Sequence, residues 1–313
     1  MTHSRQTESP GAIASPAAIV LGTFGQAHLG DTLCTSPIPR LLHGRCGAGV
    51  LVKDHPVLRA VFKGNPYVRG FAAQATVSFD NKLCGSGHVI QRLAQGMELA
   101  AHSVPKPELY LDAEELAWAE QERRGWPPER PVCVLSASAV TDAGNLRRLD
   151  WEAVVRILSE EFTVVQPVLA ETPAPGTIVY RGLSLRQYMS LIAVADRFVG
   201  GTSGGSHVAA AFDVPSLVIA WRSLLDHLRF PVSGLGVVAA FLYPQHWFAA
   251  AEDLTPGHFR EARLRDLLLD MSRHGRKGRP TAIGNHRHSP CGFRPVVPRR
   301  VIREGGGSER CPE

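Results

Sequence analysis

The sequence predicts an α/β protein built from two doubly wound, Rossmann-like units that face each other across a cleft. Three observations carry that expectation. Short apolar runs rich in β-branched residues alternate with helical stretches, as in parallel sheets covered on both faces. A proline-containing connector at 101–107 divides the alternation into two series. In each series a small-residue loop follows a strand, at the carboxyl end where open α/β sheets bind ligands.

The expected organisation is a polar, disordered leader at 1–16, a first unit at 17–104, a second at 105–271 and a basic tail at 272–313. In the first unit, 17–24 and 48–52 read as buried strands, 32–43 and 56–62 as helices, 74–79 as a third strand and 88–100 as a helix. Asp31 or Thr32 is a plausible N-cap for the first helix, and Pro37 and Pro39 disturb it. The second unit runs through a charged, exposed helix at 113–123, a strand at 131–135, a helix at 150–161 and strands at 162–168 and 178–180. A helix at 185–195, a strand at 197–200, a helix at 207–212 and a strand at 216–220 follow. A strand-like apolar run at 235–243 and an amphipathic helix at 258–271 complete it.

With 313 residues, 44% hydrophobic and 20% charged, the chain has room for two packed domains. The net charge of +5 belongs to the tail. Residues 272–313 hold ten Lys/Arg against three Glu, which leaves 24 basic and 26 acidic side chains in residues 1–271. A nucleic-acid partner is therefore not expected. Six scattered cysteines without a C-x-x-C pair suit a reducing cytoplasm, and no apolar run reaches the ~18 residues of a spanning helix.

The chemistry centres on 193–220. The turn Gly200-Gly201-Thr202-Ser203-Gly204-Gly205-Ser206-His207 has no large side chain before His207. It opens a helix whose first N–H groups lack internal partners, which makes an anion site, most often for phosphate.

Two segments together resemble the bacterial heptosyltransferases, glycosyltransferases of GT-B architecture (glycosyltransferase family 9) related to those that use ADP-heptose. His28-Leu29-Gly30-Asp31-Thr32-Leu33-Cys34-Thr35-Ser36-Pro37 is similar to the family's G-D-hydrophobic-T-P motif. The segment from Val199 to His207, with Ala209-Ala210-Ala211, is similar to its V-G-N-D-S-G-x-x-H-x-A-A-A motif. Between them, Arg147-Arg148-Leu149-Asp150-Trp151 resembles the family's Lys-Arg-Trp-Pro segment, and Leu183 stands where the family contacts the nucleotide base.

The resemblance implies transfer of a sugar, with heptose among the candidates, from a nucleotide diphosphate donor to an acceptor hydroxyl. The donor is ADP-linked as a first expectation. The acceptor is a lipopolysaccharide core or a small glycoside, and the protein is cytoplasmic or at most peripheral to the inner membrane. Asp31 is the implied general base, with Gly30 and His28 on the acceptor side. Thr202, Ser203, Gly204, Gly205, Ser206 and His207 would hold the diphosphate, with Arg147 or Arg148 as the cation. No Asp-x-Asp occurs, so metal-independent chemistry without a cofactor is expected. The chain departs from the family at Thr202, where relatives keep Asp, at Gly201 in place of Asn, and at Arg147 in place of Lys.

Plainer roles stand beside these. Asp31 serves equally as a cap, His207 as a packed helix residue, Arg147 and Arg148 as solvated charge, and Glu171 as either a ribose ligand or a loop carboxylate. His286, His288 and Cys291 form no recognisable metal spacing. Two other functions fit parts of the chain. One is a sugar-nucleotide epimerase or binding protein of the same fold. The other is a serine hydrolase using Ser203 in a G-x-S-x-G elbow, with Asp226 or Asp253 and His246 or His258.

Overall fold

The computed structural model describes residues 19–22, 27–47, 49–79, 87–99, 106–138, 146–168, 171–221, 241 and 243–273. The first unit is a parallel sheet of β1 (Val20–Leu21), β2 (Val50–Lys53) and β3 (Val68–Ala72), in the order β1-β2-β3. Val77 bridges to Leu21 in parallel. Helices α1 (Leu29–Thr35), α2 (Ile38–Cys46), α3 (Pro56–Phe62) and α4 (Val89–Gly96) accompany it.

The second unit holds α5 (Ala113–Arg124), β4 (Val132–Ser136), α6 (Trp151–Glu161), β5 (Thr163–Val168) and β6 (Ile178–Arg181). These lead to α7 (Leu185–Val194), β7 (Arg197–Gly201), α8 (Gly204–Ala211), β8 (Ser216–Ala220), β9 (His246–Ala250) and α9 (Glu261–Arg273). Its six parallel strands run β6-β5-β4-β7-β8-β9. Numbered within the unit, that is the 3-2-1-4-5-6 order of the dinucleotide-binding fold, with its reversal between β4 and β7. Every residue of β4, β5 and β8 is buried, which accounts for their mostly apolar sequences.

The structure revises several expectations. The helix read at 32–43 is two helices, because Pro37 has no N–H to continue α1 and instead caps α2. The strand read at 74–79 is β3 at Val68–Ala72, with Val77 left as a single bridge. Helix α8 starts at Gly204 rather than His207, since both glycines join its first turn. Most of the run 235–243 lies outside the described residues, and the sixth strand is β9. The leader, the tail and Asp226 also lie outside them.

Helix α5 is less exposed than its charge suggested. Ala119 is buried, and Leu116 and Trp118 pack against the core beneath it. That core is shared: Leu33, Leu58 and Phe62 of the first unit join Met189, Phe198 and Val208 of the second in one apolar cluster. The units therefore meet along a packed seam of α1 and α3 against α7 and α8.

Residues 106–112 lace the seam together. Leu109 and Leu111 point into the shared core, while the alternate residues bind outward. Lys106 pairs with Asp213 at 2.6 Å, and Glu108 pairs with Arg40 of α2 at 2.5 Å. The Glu108 N–H donates to Ser36 Oγ at 2.7 Å. Arg186 of α7 donates to the carbonyls of Ala60 (2.9 Å) and Tyr110 (2.6 Å) and to Glu115 Oε1 (2.8 Å). Lys63 reaches Asp112 and Glu115, both at 2.7 Å. Burial alone would raise the Glu115 carboxyl, but Arg186 and Lys63 hold it down at about 2.

A shared core and a laced connector predict one cooperative unfolding transition for both units in calorimetry. Arg186→Met should keep that single transition and lower stability by about 2–4 kcal/mol, because it strands two carbonyls and part of a half-hidden carboxylate. Two separated transitions in the unaltered protein would show that the halves fold independently.

Candidate active site

The β4/β7 reversal places a row of candidate residues along one carboxyl edge of the second sheet. Leu183 follows β6, Glu171 follows β5, Arg147 and Arg148 follow β4, and the Thr202–His207 turn follows β7. Three inter-strand steps separate the ends of this row, roughly 14 Å.

Each member of the row has a local cause. Leu183 is half-buried and packs on the shared core just before Ser184 caps α7. Glu171 is half-buried at the loop start. Arg147 and Arg148 are exposed on a turn pinned from both sides. In that turn Trp151 Nε1 donates to the Leu146 carbonyl at 3.0 Å, and Asp150 caps α6 through the Ala153 N–H.

At the α8 opening, Ser203 is the N-cap in an extended conformation (φ −139°, ψ 178°). Ser206 Oγ accepts from the Ser203 N–H at 3.3 Å and donates to the Ser203 carbonyl at 2.8 Å. The Ser203 hydroxyl oxygen is sealed from solvent and closes no hydrogen bond of its own. Thr202 and Gly204 are half-buried, while Gly205, Ser206 and His207 are buried.

The opening faces α1 directly. A Cβ on Gly204 would lie 2.7 Å from Leu29 Cγ, and one on Gly30 would lie 3.3 Å from His207 Cδ2. Glycine at both positions is thus set by the contact between two helix openings. Gly205 is constrained separately, by Tyr188 and Phe198. Asp31 sits in the first turn of α1, half-buried beside this contact, and the cap of α1 is His28. The capping role expected for Asp31 is therefore corrected: it lies inside the helix, three residues past the cap. Its charge reaches Cys34, one turn further along α1.

Beneath the opening lies a polar knot. His207, 4% exposed, hydrogen-bonds through Nδ1 to the Tyr243 hydroxyl at 2.7 Å. Cys34 Sγ stands 3.9 Å from Nδ1 and 4.0 Å from Nε2. The Tyr243 ring also lies 4.6 Å from the His88 ring and 5.1 Å from that of His246. His88 caps α4 by accepting the Ile90 N–H at Nδ1, and its sealed Nε2 has no hydrogen-bond partner. Burial drops His207 to about 4. His88 and His246 fall to about 3, chiefly through burial, with His207 adding to it. All three rings are neutral at pH 7.

Residues 88–220 match the family model "Glycosyltransferase family 9 (heptosyltransferase)". That match spans the second unit as far as β8 and the helix α4 that precedes it. Solved structures show the same GT-B fold. Escherichia coli ADP-heptose LPS heptosyltransferase II superposes with a TM-score of 0.59 at 14% identity, over 82% of this chain and 100% of that one. The family 9 glycosyltransferase from Veillonella parvula DSM 2008 gives 0.62 at 11%, over 81% and 96%. The dodecameric, iron-containing heptosyltransferase TibC in complex with ADP-D-beta-D-heptose gives 0.57 at 14%, over 86% and 81%. No curated protein matches the sequence.

The family match begins at His88, so it spans the Thr202–His207 turn but not the segment carrying His28, Gly30 and Asp31. The fold brings that segment to the turn regardless, through the contact of α1 with α8. The hydrolase alternative is not favoured. Ser203 Oγ bonds to no histidine, and Asp253 is engaged by Arg263 at 2.7 Å and Arg260 at 3.5 Å. Among the described residues no cluster of His, Cys, Asp and Glu is arranged to hold a metal ion, and no helix is long and apolar enough to cross a membrane. His286, His288 and Cys291 lie outside the described residues.

Nothing in the local sequence pattern marks the knot. Cys34 read as a core cysteine, His88 as the start of a helix and Tyr243 as the end of an apolar run. Only a polar atom within an apolar stretch marked each of them.

The knot has a pH signature. Below about pH 6.5 the unfolded chain takes up protons that the three buried rings refuse, so stability falls with pH until about pH 3–4 and is flat, for these groups, above 7. Each ring contributes up to about 1.4 kcal/mol per pH unit within its window. Thermal melts from pH 8 to 4.5 should show His88→Asn flattening the acid decline relative to the unaltered protein. An identical slope in both would show that His88 is not buried in its neutral form.

Proposed function

We propose that the protein transfers a sugar, a heptose or a close relative, from a nucleoside diphosphate donor to an acceptor hydroxyl, with Asp31 as general base and without a metal ion. The observation that carries this is the α8 opening at the β4/β7 reversal, seated against the α1 turn that bears Asp31. As the sugar–oxygen bond breaks, charge builds on the leaving diphosphate. Unpaired amides of a helix opening, the Thr202 and Ser203 hydroxyls and an arginine from 147–148 supply stabilisation where that charge appears. The acceptor hydroxyl must lose a proton on the opposite side, where Asp31 stands.

ADP is the first nucleotide to test, since TibC was solved with ADP-D-beta-D-heptose and WaaC with ADP. The acceptor is a lipopolysaccharide core or a small glycoside on the cytoplasmic side. Thr202, neutral where relatives carry Asp, would leave less negative charge beside the diphosphate.

Thermal-shift measurements against ADP-, GDP-, UDP- and dTDP-sugars identify the donor, because a ligand that binds the native state raises the apparent melting temperature. With that donor, Asp31→Asn should bind as the parent does and lose turnover by orders of magnitude. Unchanged turnover rules out the base. Gly204→Val would press on Leu29 in the empty protein, so Ser203→Ala is the cleaner probe of the phosphate site. It removes a hydroxyl that closes no internal bond, and donor affinity should drop about five- to tenfold with little change in melting temperature. Full affinity in that variant would exclude the Ser203 hydroxyl from the phosphate site.

A further inference from the structure

His207 is held from two sides. Its Nδ1 edge meets the Tyr243 hydroxyl at 2.7 Å. Its Cδ2–Nε2 edge faces α1, in the slot left by the missing side chain of Gly30. Cys34 stands four residues after Gly30 on α1, so both lie on the helix face that receives the ring. Its thiol contacts the imidazole and also interacts with the Tyr243 hydroxyl.

The direction of these bonds follows from which groups hold protons. Tyr243 is sealed in apolar surroundings that keep its phenol protonated, and the same burial keeps Cys34 a thiol. The phenol has one proton to donate. Its choice lies between an imidazole nitrogen and a thiol sulfur, and sulfur is the weaker acceptor. The phenol therefore donates to His207 Nδ1, with the Cys34 thiol packed beside the ring. A neutral imidazole that accepts at Nδ1 carries its proton at Nε2.

We propose that Cys34 and Tyr243 are positioning residues that lock His207 as its Nε2–H tautomer, aiming a neutral hydrogen-bond donor at the α1–α8 seam where donor and acceptor substrates would meet. The inference rests on the proposed transferase function for its purpose, but not for its geometry. Groups facing the ring from the packed elements are Cys34 on α1, His88 at the start of α4, and Tyr243 and His246 beside and on β9.

Nitrogen-15 NMR of histidine-labelled protein at pH 7.5 reads the tautomer without any substrate, with His207 assigned by the signal lost in His207→Gln. The unaltered protein should show an acceptor-type Nδ1 and a protonated Nε2. Tyr243→Phe should shift His207 toward a mixture of tautomers. Cys34→Ser, which keeps an O–H donor, should preserve the lock better than Cys34→Ala, which removes only the thiol and serves if the tyrosine variant fails to fold. A protonated Nδ1 in the unaltered protein, or a tautomer unmoved by both Tyr243→Phe and Cys34→Ala, overturns the lock. With a donor in hand, Tyr243→Phe should lower kcat at least about tenfold with KM for the donor nearly unchanged. An unchanged kcat in a variant whose tautomer has shifted overturns the positioning role. Absence of transfer by the unaltered protein would instead count against the proposed function and leave the NMR result standing.

Discussion

Two helix openings touch in this protein, and the touch requires that both lack a side chain at the point of contact. Gly30 leaves room for the edge of His207, and Gly204 leaves room for Leu29. Bringing α1 onto α8 in this way sets Asp31 beside the turn after β7, although the two segments belong to different sheets. The packed seam, the strap at 106–112 and the buried knot under α8 all follow from that approach. A β-carbon on Gly204 would force the seam apart before any ligand arrived.

The seam also changes what a two-unit α/β protein is expected to do. Arg186 alone ties α7 to α3, to the strap and to α5, and the ties surround an apolar cluster drawn from both units. Relative motion along this contact would expose core side chains and break partly buried ion pairs together, at a cost well above thermal energy. Substrate entry is therefore expected along the carboxyl edges, without separation of the seam.

The α8 opening was legible in the sequence because small residues between two apolar runs have few other uses, and a doubly wound parallel sheet followed from the β/α alternation, though its 3-2-1-4-5-6 order came only with the structure. The strap was not legible. Lys106, Glu108, Tyr110 and Asp112 alternate with Leu109 and Leu111 in a pattern that a half-buried strand would share, and nothing local names their distant partners. Asp31 read as a cap because an acidic residue before a helix usually is one, yet the helix starts two residues earlier, at Leu29, with His28 as its cap. The knot joins Cys34 to a histidine 173 residues away, a relation that spacing does not encode. Strand β9 was missed because its alanines carry little β preference and it opens on His246, while the run at 235–243 is longer and richer in β-branched residues.

The central claim is that the α8 opening, pressed against α1, receives the diphosphate of a nucleotide sugar. A crystal structure of the protein with ADP tests it most directly. The account predicts the β-phosphate within hydrogen-bond distance of the backbone N–H groups of Gly204 and Gly205 and of the Ser203 hydroxyl, with the adenine toward Leu183. ADP bound elsewhere on the protein, with no phosphate at the α8 opening, would contradict it.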